Sequence, residues 1–129
     1  MSASPKSILV IDDNEDMLVI VSLVLRKNGY KVTGLTRFDD LEQELIAIAP
    51  DLILIDRTLG WIDGRQLCKQ IRTFPGFLTT VILIFSAYTV SAEDCMAIGA
   101  NGYIEKPFEI GSFLNRLEQH LLMQTFEKK

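Results

Sequence analysis

Asp12, Asp13 and Asp56 each stand at the C-terminal end of an apolar run. The first two follow Ile8-Leu9-Val10-Ile11 and the third follows Leu52-Ile53-Leu54-Ile55. Runs this short, made of β-branched residues and leucine, read as buried strands rather than helices. If the two strands are parallel and adjacent, all three carboxylates gather at one edge of the sheet. Open α/β sheets bind ligands at that edge, outside the carboxyl ends of their strands. Two unit charges ~4 Å apart repel by about 4 kcal/mol at an effective dielectric near 20, so three carboxylates so placed need a cation. A divalent ion with oxygen ligands, Mg²⁺ or Mn²⁺, suits them. Two later runs complete the set: Ser86 follows Val81-Ile82-Leu83-Ile84-Phe85, and Lys106 follows Tyr103-Ile104-Glu105. The lysine can neutralise excess anion, the hydroxyl can donate to a phosphoryl oxygen, and a carboxylate can attack phosphorus. Together they suit metal-assisted phosphoryl transfer onto an aspartate.

Such an edge needs alternating elements to build it. Strands are expected at about 7–12, 31–35, 51–56, 80–86 and 102–105, and helices at about 15–28, 38–48, 64–74, 91–98 and 109–124. Asn14 can cap the first helix, with Glu15 and Asp16 favourable in its first turn. Asn28-Gly29, Pro50, Pro75-Gly76 and Gly99 end the first four helices. Phe113, Leu114, Leu117, Leu121 and Leu122 give the last one an apolar stripe. Alternating strands and helices imply a parallel sheet with helices on both faces and right-handed crossovers.

Composition narrows the function. The 129 residues, 48% of them hydrophobic, suit one domain with one core. The expected domain is 1–129, with its core at about 7–124 and no room for a second domain. Net charge is −4, and no run of Lys or Arg could track a phosphate backbone, so direct nucleic-acid binding is disfavoured. The longest apolar stretch, Met17 to Leu25, is far short of a membrane span, and Met1 to Ser7 is no secretory signal. Cys68 and Cys95 lack CxxC spacing and read as buried reduced thiols. A cytoplasmic protein is expected.

The segments Ile8–Asp13, Asp51–Asp56, Ile62-Asp63-Gly64, Phe85-Ser86-Ala87 and Gly99–Phe108, in that order and spacing, resemble the receiver domain of two-component response regulators over essentially the whole chain. The resemblance is to a stand-alone, chemotaxis-regulator-like receiver. It implies a flavodoxin-like (βα)5 fold of class α/β: a single-domain, doubly wound, five-stranded parallel sheet of strand order 2-1-3-4-5. It also implies Asp56 as the phosphoacceptor. Asp13 and Asp56 would bind Mg²⁺ directly and Asp12 through water, with the backbone carbonyl of Thr58 completing the protein's ligands. Ser86 and Lys106 would bind the phosphoryl group, and Tyr103 matches the switch aromatic. Tyr88 and Trp61 would modulate the lifetime of the acyl phosphate and the rim of the site.

The implied protein is not an enzyme beyond promoting its own phosphorylation and dephosphorylation. Its phosphodonor would be a sensor histidine kinase or a histidine phosphotransfer protein. Its output, through the face of the fourth helix, fifth strand and fifth helix, would go to another protein. One departure from the family pattern stands out. Gly60 and Trp61 occupy positions where most receivers carry proline and then glycine, which makes the loop after Asp56 freer. Acidic residues that commonly precede the switch aromatic in pairing receivers are replaced by Asn101 and Gly102, so a monomer is expected.

Other readings compete. Asp12 and Asp13 could simply cap the first helix, Ser86 could be an ordinary strand end, and Lys106 a solvated lysine. Tyr103 could be an ordinary half-buried aromatic, and Trp61 ordinary packing. His120, late in the last helix, reads as a solvated or dipole-facing residue. A haloacid-dehalogenase-like aspartyl-phosphate phosphatase would want a second Asp where Thr58 stands. A flavodoxin-like electron carrier would want a Ser/Thr/Gly-rich loop where Asp12–Asp16 stands. A non-phosphorylated docking module would not need the full set of site residues.

Overall fold

The computed structural model of the chain describes residues 6–60, 62–86, 91–106 and 109–127. Five strands form one parallel sheet: β1 (Ser7–Ile11), β2 (Lys31–Leu35), β3 (Leu52–Asp56), β6 (Val81–Ser86) and β7 (Gly102–Glu105). Their order is β2-β1-β3-β6-β7, the expected 2-1-3-4-5 once two short extra strands are set aside. Those extras are β4 (Thr58–Leu59) and β5 (Ile62–Asp63), which pair antiparallel in the loop after Asp56.

Strand alternation splits the core into two layers. Leu9, Ile11, Ile53, Ile55, Ile82 and Ile84 face one way, covered by α2 (Leu41–Ile48), α3 (Gly64–Thr73) and α4 (Ala92–Ala97). Ile8, Val10, Leu52, Leu54, Leu83 and Phe85 face the other, covered by α1 (Glu15–Lys27) and α5 (Ile110–Glu127). Burial on both faces is why the central strands read as unbroken apolar runs.

Most helix ends follow local chemistry. Asn14 Oδ1 accepts the Met17 N–H at 3.1 Å, capping α1, and Gly29 with φ +89° follows its C-cap. Phe74 is extended ahead of Pro75, and Gly99 with φ +84° follows α4. Cys68 and Cys95 are buried and unpaired, as expected.

Four boundaries and environments differ from the sequence reading. The second helix starts at Leu41 rather than 38, after Asp40, whose side chain makes no capping bond. It ends through Ala49, a left-handed alanine with φ 49°, one residue ahead of Pro50. Leu122 is exposed, so the buried stripe of α5 is Phe113, Leu117 and Leu121. His120 is not at the helix end, because α5 continues to Glu127, and it is half-buried rather than solvated. It packs over Gly102, where a Cβ would stand 3.1 Å from its Nε2. Burial, aided by Arg116, holds its imidazole below the usual value of 6.5.

The contrast along α5 is measurable. Leu117→Ala removes a fully buried side chain and is expected to cost about 2–5 kcal/mol in urea unfolding. Leu122→Ala, on the exposed side, is expected to change stability by no more than about 0.5 kcal/mol.

Candidate functional site

Register brings the strand ends together. Ile11 lies beside Ile55, so the next residue, Asp12, falls level with Asp56. Asp56 in turn pairs with Phe85, one residue before Ser86, and Ser86 pairs with Glu105, one residue before Lys106. The Lys106 N–H closes this end by donating to the Ser86 carbonyl at 2.7 Å. One carboxylate oxygen from each of Asp12, Asp13 and Asp56 lies within 4.8 Å of the others. Asp12 and Asp56 are buried while Asp13 is exposed.

Two contacts fix the Asp56 carboxylate. Lys106 Nζ pairs with Oδ2 at 3.1 Å, and the Thr58 N–H donates to Oδ1 at 3.2 Å. The same ammonium stands 4.9 Å from the centroid of the Phe85 ring, an aromatic support that the sequence reading missed. Its only sequence signal is an aromatic just before Ser86. Asp12 Oδ1 accepts the Asn14 N–H at 2.9 Å. Burial, and then the charge of Asp56, push the Asp12 carboxyl up to about 6, although the Asn14 bond and Lys106 oppose this. Ser86 is buried at the end of β6, and Tyr103 is half-buried on β7 beside Ile84. Trp61 and Tyr88 lie outside the described residues.

The loop after Asp56, where Gly60 stands, carries a short antiparallel pair. Thr58 pairs with Asp63 and Leu59 with Ile62, with Gly60 following Leu59 into the turn between them. Gly60 has φ +64°, a value closed to proline, whose ring fixes φ near −65°. A Cβ there would stand 3.3 Å from Asp13 Oδ2, so the turn runs close past the acidic cluster. Gly64, present in the motif but not singled out, is equally constrained. Its N–H donates to the Arg57 carbonyl at 2.7 Å, and a Cβ would collide with the Asp56 carbonyl. Asp63 caps α3 by accepting the Arg65 N–H at 2.9 Å.

The donor set tests which ion could be held. It is made of carboxylate oxygens, with Lys106 as the neighbouring cation. Hard oxygen donors of net negative charge fit Mg²⁺ or Mn²⁺ rather than a thiolate-seeking metal.

Residues 8–118 match the response regulator receiver domain family. The chain belongs to that family. This receiver is 33% identical over 121 residues to the uncharacterized transcriptional regulatory protein YvcP of Bacillus subtilis, covering 92% of the chain and 49% of YvcP. The chain spans about half or less of the length of the first curated relatives it matches. The receiver domain of the sensor histidine kinase PA1611 from Pseudomonas aeruginosa, solved with a magnesium ion in its active-site cleft, superposes with a TM-score of 0.79. It shares 25% identity, with 91% of this chain and 98% of that one covered. A CheY-like receiver from Methanospirillum hungatei shares the fold, with a TM-score of 0.84 at 24% identity over 96% of this chain and 99% of that one. No helix among the described residues is long and apolar enough to cross a membrane.

The raised Asp12 carboxyl has a pH consequence. Its folded value, near 6, lies above the ordinary 3.8, so the folded state binds the proton more tightly than the unfolded one. That contribution is present below about pH 4 and is lost as pH rises through about 6. In EDTA, Asp12→Asn is therefore expected to gain stability over the wild type as pH rises from 4 to 7. Parallel urea-unfolding curves across that range would contradict it.

Proposed function

We propose that this receiver is a phosphoryl-accepting switch with Asp56 as the phosphoacceptor. The observation that carries the reading is the pairing of Lys106 Nζ with Asp56 Oδ2 at 3.1 Å, beside an acidic trio drawn within 4.8 Å. The donor is a phosphohistidine on a sensor histidine kinase or histidine phosphotransfer protein, or a small acyl phosphate. An Asp56 carboxylate oxygen attacks phosphorus in line. The new O–P bond forms as the bond from phosphorus to the donor breaks, and the imidazole nitrogen, or the carboxylate of an acyl phosphate, leaves with the electron pair.

Asp13 and Asp56 would hold a divalent Mg²⁺ or Mn²⁺ directly, with Asp12 through water and the Thr58 carbonyl completing the set. When bound, the ion offsets carboxylate and phosphoryl charge. Lys106 neutralises the remaining anion, and the Ser86 hydroxyl donates to a phosphoryl oxygen. The product is an acyl phosphate, and Tyr88 and Trp61 are proposed to govern water's access to it. As Ser86 moves toward the phosphoryl group, Tyr103 turns inward and changes the face of α4, β7 and α5. Phosphorylation acts by favouring one of two conformers, so it must stabilise that conformer differentially.

Partner choice follows from the same face. Asn101 Oδ1 accepts from the Ile82 N–H at 2.8 Å and from Arg72 Nη2 at 2.9 Å, so it is engaged inside the domain. This supports a mainly monomeric receiver that docks Tyr103 and Glu105 onto a different protein.

Mass spectrometry after incubation with acetyl phosphate and Mg²⁺ tests the acceptor. One added phosphoryl group is expected on the wild type and none on Asp56→Asn; equal labelling of the two would sink the assignment. Asp13→Ala is expected to weaken Mg²⁺ binding by about tenfold or more, since it deletes a proposed direct ligand. Calorimetric titration giving an unchanged affinity would remove Asp13 from the ligand set.

A further inference from the structure

Among the described residues, β7 is the free edge of the sheet, bonded to β6 alone. Its side chains alternate across that edge. Ile104 lies in the layer under α1 and α5, and Gly102 abuts His120 of α5. Tyr103 packs instead against the opposite layer, which includes Ile84 of β6 and Cys95 of α4. Arg116 belongs to α5, on the other side of the sheet from that layer. Its guanidinium carbon nevertheless stands 5.7 Å from the centroid of the Tyr103 ring, within the range of a cation–π contact. Arg116 therefore reaches round the free edge of β7.

Two further observations place this charge at the junction of α4, β7 and α5. Burial and Asp94 raise the Cys95 thiol on α4, and Arg116 opposes them; burial and then Arg116 depress the His120 imidazole on α5. No carboxylate pairs with Arg116 among the described residues. Neither Asn101 nor Gly102, which precede Tyr103, offers one. Tyr103, Glu105, Glu109, Ser112 and Arg116 line an open cleft of about 310 Å³, and the Tyr103 side chain is half-buried.

We infer that Arg116 is a positioning residue for Tyr103: reaching round the edge of β7, it holds the ring at the cleft and biases the domain against its activated conformer. The inference rests on Tyr103 being the switch aromatic. An inward-turning ring leaves the guanidinium, so the contact is lost on activation. A cation–π contact at an exposed site corresponds to about a two- to five-fold factor in a conformational equilibrium. Arg116 is exposed, so substituting it leaves the core intact.

The test uses the whole chain labelled with 3-fluorotyrosine and titrated with beryllofluoride in Mg²⁺, followed by ¹⁹F NMR. The chain has three tyrosines, and Tyr103→Phe assigns the Tyr103 resonance. Without beryllofluoride, Arg116→Gln is expected to shift that resonance, while Arg116→Lys, which keeps a cation there, stays closer to the wild type. With it, the half-saturating concentration of Arg116→Gln is expected to fall about two- to five-fold, with Arg116→Lys largely restoring the wild-type value. An unshifted Tyr103 resonance in Arg116→Gln, or an unchanged half-saturation, overturns the inference while leaving the switch reading intact. A wild-type protein that does not respond to beryllofluoride overturns the switch reading itself, and this inference with it.

Discussion

Asp56 shares its edge of the sheet with two other carboxylates, and much of the local structure answers that crowding. Asp12 meets it by accepting the Asn14 N–H, and its carboxyl is still pushed up to about 6. Asp56 meets it with the Lys106 ammonium on one oxygen and the Thr58 N–H on the other. Asp13 meets it by remaining exposed. A fold chosen only for stability would place apolar or neutral groups here. Retaining buried like charge makes the edge a standing attraction for a cation, which relieves repulsion already present in the folded chain.

Parallel pairing is what makes the arrangement possible. Side chains at the ends of parallel neighbours emerge on the same edge, so four separate segments deliver Asp12, Asp56, Ser86 and Lys106 to one place. This is also why so much was readable from residue order. A strand buried on both faces has to be an apolar run, and the polar residue that ends it announces the edge. Asp12, Asp56, Ser86 and Lys106 were each visible in that way, as was the Asn14 cap.

What escaped the sequence has equally physical causes. The β4–β5 pair is two residues on each side, too short for any periodicity to register. Gly60 adopts a left-handed conformation that carries the turn close past Asp13, a placement that glycine's permissiveness allows but that the sequence does not announce. Pro50 announced the end of the helix but not the left-handed conformation of Ala49, which is rare for a residue with a Cβ. His120 was misplaced because nothing in the sequence set where α5 stops or said that Gly102 opens a notch beneath it. The contacts of Phe85 with Lys106 and of Arg116 with Tyr103 join residues far apart in the chain, on separate elements.

The centre and the edge of the sheet differ in how they are held, and in the proposed switch that difference would set its direction. The Asp56 side is central: β3 has neighbours on both sides, and α3 begins with Gly64 against the Asp56 carbonyl. On the far side, Arg72 ties the C-terminal part of α3 to the turn after α4 by donating to the Gly99 carbonyl at 2.8 Å and to Asn101 Oδ1 at 2.9 Å. It also donates to the Phe77 and Thr80 carbonyls at 2.8 and 2.7 Å. The entry to β7 is thereby fixed to the rest of the domain. Tyr103 lies on the edge strand of the described sheet, half-buried against the layer of Ile84 and Cys95 on one side and beside the exposed Arg116 on the other. On the proposed reading, charge introduced at Asp56 meets the central strand, which has neighbours on both sides, and a change in bonding at Ser86 and Lys106 is relieved at the edge, through Tyr103 and the face around it.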